Sequence, residues 1–284
     1  MKTVRPGNVN KHERVRHPKQ AKFMKKLASL TAFLKLRGAN LDDDVSVQLT
    51  KVKFVGSLLV ANKRPIGSFL SRDVTIRTRY GLFRCRKRED DLDIVYEGFE
   101  RDVLEVFTPN IGETVVDCGA HVGKYSVLAS KLVGGDGKVI AFEPCLATYQ
   151  LLQMNLKLND CGNVMATNCA VWNKSEERTL WLSSRSSIHS LNPLLGKSTR
   201  VGSTTVKCVK LDEIMKSMEK IDWLKLDVEG ADLEALQGAS KSIGEGKIGN
   251  IIVEASVPAT LDFLKDAGYS LTQLLPSRYY YAHR

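Results

Sequence analysis

The chain has 284 residues, 43% hydrophobic and 26% charged, an ordinary composition for a fold that buries a core as one large domain or two small ones. No apolar run approaches the roughly 18 residues of a membrane span, no apolar stretch of a secretory signal stands near the start, and the six cysteines form no CxxC pair. That argues against a zinc ribbon or thioredoxin motif, and the expectation is a cytoplasmic protein with reduced thiols.

The net charge of +10 is confined to residues 1–40, where eleven Lys/Arg face a single acid, Glu13, so the remaining 244 residues are neutral. Residues 1–20 are polar without a periodic apolar face, which predicts disorder. Phe23, Leu27, Leu30 and Leu34 then recur at helical spacing with Lys22, Lys25 and Lys26 off the stripe, and Gly38 reads as the stop. A basic amphipathic helix over 21–37 suits three partners: the protein's own body, an anionic membrane surface that would make the protein peripheral, or RNA phosphates.

Residues 41–108 form a lead-in. Partial alternation over Ser46–Phe54 predicts a strand, Val74–Cys85 a hairpin turning at Tyr80-Gly81, and Ile94–Phe107 a helix. From residue 109 to the end, strands and helices alternate. Strands are expected at Thr114–Cys118, Lys138–Phe142, Val164–Val171, Trp223–Leu226 and Asn250–Val253. Helices are expected at Lys124–Val133, Ala147–Leu158, Asp212–Met218, Ala231–Ser240 and Thr260–Ala267, with an interruption over Glu176–Leu211 holding extra strands around the Ser-rich loop Ser183–Ser190. This order implies an α/β fold with a mostly parallel sheet and helices on both faces. Ligands of such sheets bind at the carboxyl ends of the strands.

The first strand ends in Val116-Asp117-Cys118-Gly119-Ala120-His121-Val122-Gly123. Gly119 permits a tight turn and Gly123 lets the next helix start close to a ligand. The nicotinamide pattern GxGxxG is absent, and an acid before the turn would repel a pyrophosphate but suit a ligand's ammonium group. The second strand ends in Glu143, a carboxylate that can accept bonds from both ribose hydroxyls. Acid, glycine turn and second acid describe a pocket for S-adenosylmethionine (SAM), with His121 beside it. On strand four, Lys225 and Asp227 share one face by period-two geometry, with Asp227 at the strand tip and Glu229 in the turn that follows, both aimed at the crevice, and Glu254 ends strand five. An alternative leaves Asp227 as a helix cap and Lys225–Asp227 as a plain ion pair.

These segments resemble the FkbM family of SAM-dependent methyltransferases. The resemblance runs in order from VVDCGAHVGKYSVLASK through KVIAFEP, LLQMNLKLN, VKLDEIM and IDWLKLDVEGADLEALQGA to NIIVEAS. It implies a Rossmann-like class I fold, usually an O-methyltransferase, with Asp117, Gly119, Gly123 and Glu143 at the cofactor and Lys225, Asp227 and Glu229 at the reaction end; His121, beside Gly119, is expected to pack against the cofactor pocket. Transfer to an alcohol calls for a base, here Asp227 or Glu229, with His189 as a further candidate. The expected acceptor is a hydroxyl on a sugar, a glycan, a lipid-linked glycan or another small molecule. The rivals are an RNA methyltransferase using the basic arm and a SAM-binding protein without activity. No metal is expected, although Asp227 with Glu229 or Glu254 is the one set that could hold a divalent ion.

Overall fold

The computed structural model describes residues 31–59, 65–195, 197–274 and 278–284. The predicted disorder of residues 1–20 and most of the helix over 21–37 lie outside the described residues. Residues 31–35 are helical, and Gly38, rather than ending a helix, pairs in a short strand.

The lead-in holds β1 (Arg37–Gly38), α1 (Leu41–Leu59), β2 (Val74–Arg77), β3 (Leu82–Cys85), α2 (Asp91–Val95) and α3 (Arg101–Val106). The predicted β2–β3 hairpin is present and antiparallel, with β1 added on its β2 side. The predicted strand over Ser46–Phe54 is instead the middle of helix α1. Its buried positions, Asp43, Ser46, Val47, Thr50, Lys51 and Ser57, recur at helical spacing. Most of them are polar, which is why hydrophobic patterning missed the helix. The helix expected over Ile94–Phe107 is two short ones.

The remaining strands are β4 (Thr114–Cys118), β5 (Lys138–Phe142), β6 (Val164–Thr167), β7 (Ala170–Val171), β8 (Glu177–Ser183), β9 (Arg200–Val209), β10 (Ile221–Leu226), β11 (Ile248–Glu254), β12 (Ser270–Leu274) and β13 (Tyr279–His283). Helices α4 (Lys124–Val133), α5 (Leu146–Leu158), α6 (Leu211–Ile214), α7 (Asp232–Gln237), α8 (Ser240–Gly244) and α9 (Pro258–Asp266) connect them. The main sheet has the order β12-β13-β11-β10-β4-β5-β6. Only β13 runs against its neighbours there, being antiparallel to both β11 and β12. This is the expected Rossmann-like class I architecture. The order reverses beside β4, so β4 and β10 part their following loops into a crevice.

The strand expected over Val164–Val171 is broken. β6 stays in the main sheet, whereas β7 joins the β8–β9 hairpin in a separate sheet. The break lies at Asn168, whose Nδ2 donates to the carbonyls of Glu143 and Pro144. The lead-in and the body share a core in which Phe83, Ile76 and Leu92 pack with Val122, Leu151 and Leu152. All six cysteines are buried and unpaired.

Candidate active site

A crevice of about 1440 Å³ opens at the carboxyl ends of β4, β5, β10 and β11. Single ligand pockets run to roughly 1,000 Å³, so this one has room for two molecules. Of the nine residues singled out by sequence, Gly119, His121, Glu143, His189, Lys225, Asp227 and Glu229 line it. Asp117 and Gly123 lie behind that lining, with Gly123 opening α4 at φ 93°.

At one end, the turn after β4 folds over β5, with the N–H groups of Gly119 and Ala120 both donating to the carbonyl of Phe142. Gly119 has φ 82°, and a Cβ there would meet the carbonyl oxygen of Asp227 at 1.8 Å, so only glycine lets the two strand tips approach this closely. Glu143 is fixed from both sides. Its Oε2 accepts the His121 N–H (3.0 Å) and its Oε1 the Cys145 N–H (2.9 Å). A carboxylate accepts about four bonds, which leaves acceptor capacity for a pair of hydroxyls. Burial raises its pKa to about 7. Beneath the lining, Asp117 Oδ2 accepts from Ser126 Oγ, while the buried Oδ1 has no partner among the described residues. An orphaned carboxylate oxygen at the end of β4 and a carboxylate with spare acceptor capacity after β5 fit the donors of an aminoacyl nucleoside such as SAM.

His121 stands at a three-way joint. Its Nε2 is 2.9 Å from Ser186 Oγ, and Ser186 Oγ donates to Asp90 Oδ1 at 2.9 Å. The neighbouring Asp91, fully buried, accepts from Arg86 Nε and Nη2 at 2.8 and 2.7 Å. The cofactor turn, the inserted loop and the lead-in are thereby tied together. Ser186, Asp90 and Asp91 carried no sequence signal beyond the Ser-rich composition of the loop.

His189, the further base candidate, lines the crevice with one ring nitrogen engaged. His189 Nδ1 accepts the Ser183 N–H at 3.1 Å, which assigns the proton to Nε2 and commits the basic nitrogen to the backbone. Burial lowers its pKa further, and Glu143, Glu89 and Asp90 are its electrostatic neighbours. With Nδ1 so engaged, the Nε2–H is the donor that His189 retains.

The other end of the crevice is built around Asp227. It does not cap a helix, since α7 begins five residues later. Its Oδ2 accepts from Lys225 Nζ (2.8 Å) and from Tyr279 OH (2.8 Å). Oδ1 makes no bond among the described residues, and the side chain keeps 20% exposure. Tyr279 OH also lies 2.7 Å from Glu100 Oε1, so one phenolic proton is shared between two carboxylates. Burial alone would pull Lys225 down, but Asp227, Glu100 and Asp117 around it raise it. Burial alone would raise Asp227, but Lys225 and Tyr279 hold it below the usual range. Glu229 is different. Burial, followed by the charges of Asp227 and Glu254, pushes it up to about 8. Oxygens of Asp227, Glu229 and Glu254 lie within 4.8 Å of one another. The pairing of Tyr279 with Glu100 was missed by sequence reasoning because 179 residues separate them; the aromatic run Tyr279-Tyr280-Tyr281 was the only hint of β13.

The family described as Methyltransferase FkbM domain matches residues 117–271. Methyltransferase sdnD of Sordaria araneosa is 30% identical over 196 residues, covering 56% of this chain and 74% of that protein. Methyltransferase 1 of Beauveria bassiana is 23% identical over 159 residues, covering 49% and 63%. Among solved structures, methyltransferase FkbM from Methylobacillus flagellatus has 17% identity and a TM-score of 0.45, covering 93% of this chain and 60% of that one.

Proposed function

The chain belongs to the FkbM methyltransferase family and is a SAM-dependent methyltransferase; on that premise we propose that it methylates a hydroxyl on a sugar, glycan, lipid-linked or other small-molecule acceptor, with Asp227 receiving the acceptor's hydroxyl. When bound, SAM supplies a methyl group on a sulfonium, an electrophile that needs no further activation. Glu143 would hold the ribose hydroxyls and the turn at Gly119–His121 would shape the cofactor's seat.

The observation that carries the reading is the asymmetry of Asp227. Lys225 and Tyr279 hold Oδ2, which leaves Oδ1 as the uncommitted acceptor of a fixed carboxylate that lines the crevice. A neutral alcohol is a weak nucleophile, and a carboxylate within hydrogen-bond reach orients it and takes its proton as the new bond forms. Asp227 with Glu229 can hold that proton as a pair, because like charges this close favour one proton between them. The pair is best emptied above about pH 8, where Glu229 ionises.

The test uses Asp227→Asn. S-adenosylhomocysteine binding, measured by calorimetry, should stay within about threefold of wild type. Transfer of labelled methyl into fractionated cell extract should fall by about 10²–10⁴, the usual contribution of a positioned base. Wild-type labelling by the variant would remove Asp227 from the reaction. The three clustered carboxylates also permit a metal-assisted version, which activity unchanged by EDTA would eliminate.

A further inference from the structure

Helix α1 is turned inside out. Its inward face is largely polar, and its charged groups are partnered there, although Ser46 Oγ is buried with no partner among the described residues. Asp43 Oδ2 accepts from Asn40 and from the Thr75 N–H, Asp43 Oδ1 pairs with Arg72, Lys51 Nζ donates to the carbonyls of Leu34 and Leu36, and Thr50 Oγ1 donates to that of Ser46. Its outward face carries Leu41, Val45, Leu49, Val52 and Val55, which are 79%, 52%, 54%, 70% and 45% exposed. At about 100° per residue these five fall within one arc of roughly 120°, opposite the buried positions. A contiguous apolar stripe on a solvent face marks an interaction surface rather than scatter.

We infer that this face docks on an anionic lipid bilayer. Three observations select that occupant. First, residues 1–40, with eleven Lys/Arg against one acid, end at the residue before Leu41, so a strong positive charge is covalently joined to the stripe. An apolar stripe beside basic residues is the combination that settles at an anionic interface, where each Lys or Arg adds to the attraction. Second, the acids of the first helical turn do not oppose this. Asp43 and Asp44 are engaged inward, Asp44 by the Gly38 N–H, which leaves Asp42 as the exposed acid, while Lys53 is exposed beside the stripe. Third, the alternatives fit less well. A second copy would bring the same eleven cations against their like, and nucleic-acid phosphates would leave five aliphatic side chains uncovered. Phe54, on the same helix, lines the crevice, so the docked face and the reaction chamber share one element.

The experiment is sedimentation of the full chain with phosphatidylcholine vesicles, with and without phosphatidylserine. Wild type should pellet with the phosphatidylserine vesicles, less so as salt is raised, and stay in solution with phosphatidylcholine alone. The combined variant Val45→Ser, Leu49→Ser and Val52→Ser leaves every charge in place. It should lower the vesicle partition at least tenfold, while the melting temperature and S-adenosylhomocysteine binding stay unchanged. Three results would overturn the inference: no pelleting of wild type with phosphatidylserine, equal pelleting of the triple variant, or a solution dimer that the triple variant dissolves.

Discussion

Glu229 bears two costs at once. Its backbone is left-handed at φ 47°, a conformation that costs a non-glycine residue of order 1–3 kcal/mol. Its carboxyl is raised to about 8 by burial and by Asp227 and Glu254. In the unfolded chain a glutamate titrates near about 4.3. Between these values the folded state keeps a proton that the unfolded state has released, so stability falls as pH rises through the window and is lowest above about 8. Glu229→Gln removes this titration. The melting temperature of wild type should drop further between about pH 5 and pH 9 than that of Glu229→Gln, with the two nearly equal at the acid end. Parallel curves in scanning calorimetry would show that Glu229 is not held protonated. At this scale sequence was informative where one strand presents its own side chains. Lys225 and Asp227 follow from strand period, and Glu229 from its place in the turn beyond a strand end that faces the crevice. Tyr279 and Glu100 do not, because the bond joining them is made by the fold.

The turn after β4 shows how an element carries the site. Gly119 is pressed against the end of β10, since a Cβ would stand 1.8 Å from the Asp227 carbonyl oxygen, and its φ of 82° is one that L side chains rarely adopt. Gly119→Ala must therefore push the tips of β4 and β10 apart, which displaces the cofactor turn and Asp227 together. The expected result is a destabilisation of at least about 2 kcal/mol in denaturant melts, strain and overlap both contributing, with S-adenosylhomocysteine binding lost. Normal binding by a folded Gly119→Ala protein would mean that the tips are not held at this spacing. The elements around this turn were the most legible in sequence. β4, β5 and α4 coincide with their predicted bounds because strands buried on both faces read as continuous apolar runs. α1 was misread because the face it buries is polar, and the β6–β7 break because Asn168 acts through its side chain, which periodicity does not register.

Across the whole molecule, the lead-in completes the crevice rather than trailing from it. Asp90, Asp93, Phe99 and Glu100 line the same space as Glu143 and Asp227. Two clamps hold the lead-in there. Asn155 on α5, fully buried, accepts the Arg84 N–H at 2.7 Å and donates to the Val122 carbonyl at 2.9 Å. The second is the contact of Arg86 and Asp90 with Ser186 Oγ, braced from within the lead-in by Asp91, which takes three bonds from Arg86, one of them from its backbone N–H at 2.8 Å. Asp91 lies one residue from the Asp90 that holds Ser186 and, through it, His121. Removing one partner of a buried ion pair costs about 3–5 kcal/mol; Arg86 keeps 24% of its side-chain exposure, which favours the lower figure. Asp91→Asn should accordingly lose about 3 kcal/mol in denaturant melts. Because the His121 N–H also fixes Glu143, loosening this joint should weaken S-adenosylhomocysteine binding about tenfold by calorimetry. A variant that loses stability yet binds at full affinity would show that the lead-in braces the fold without shaping the cofactor's seat.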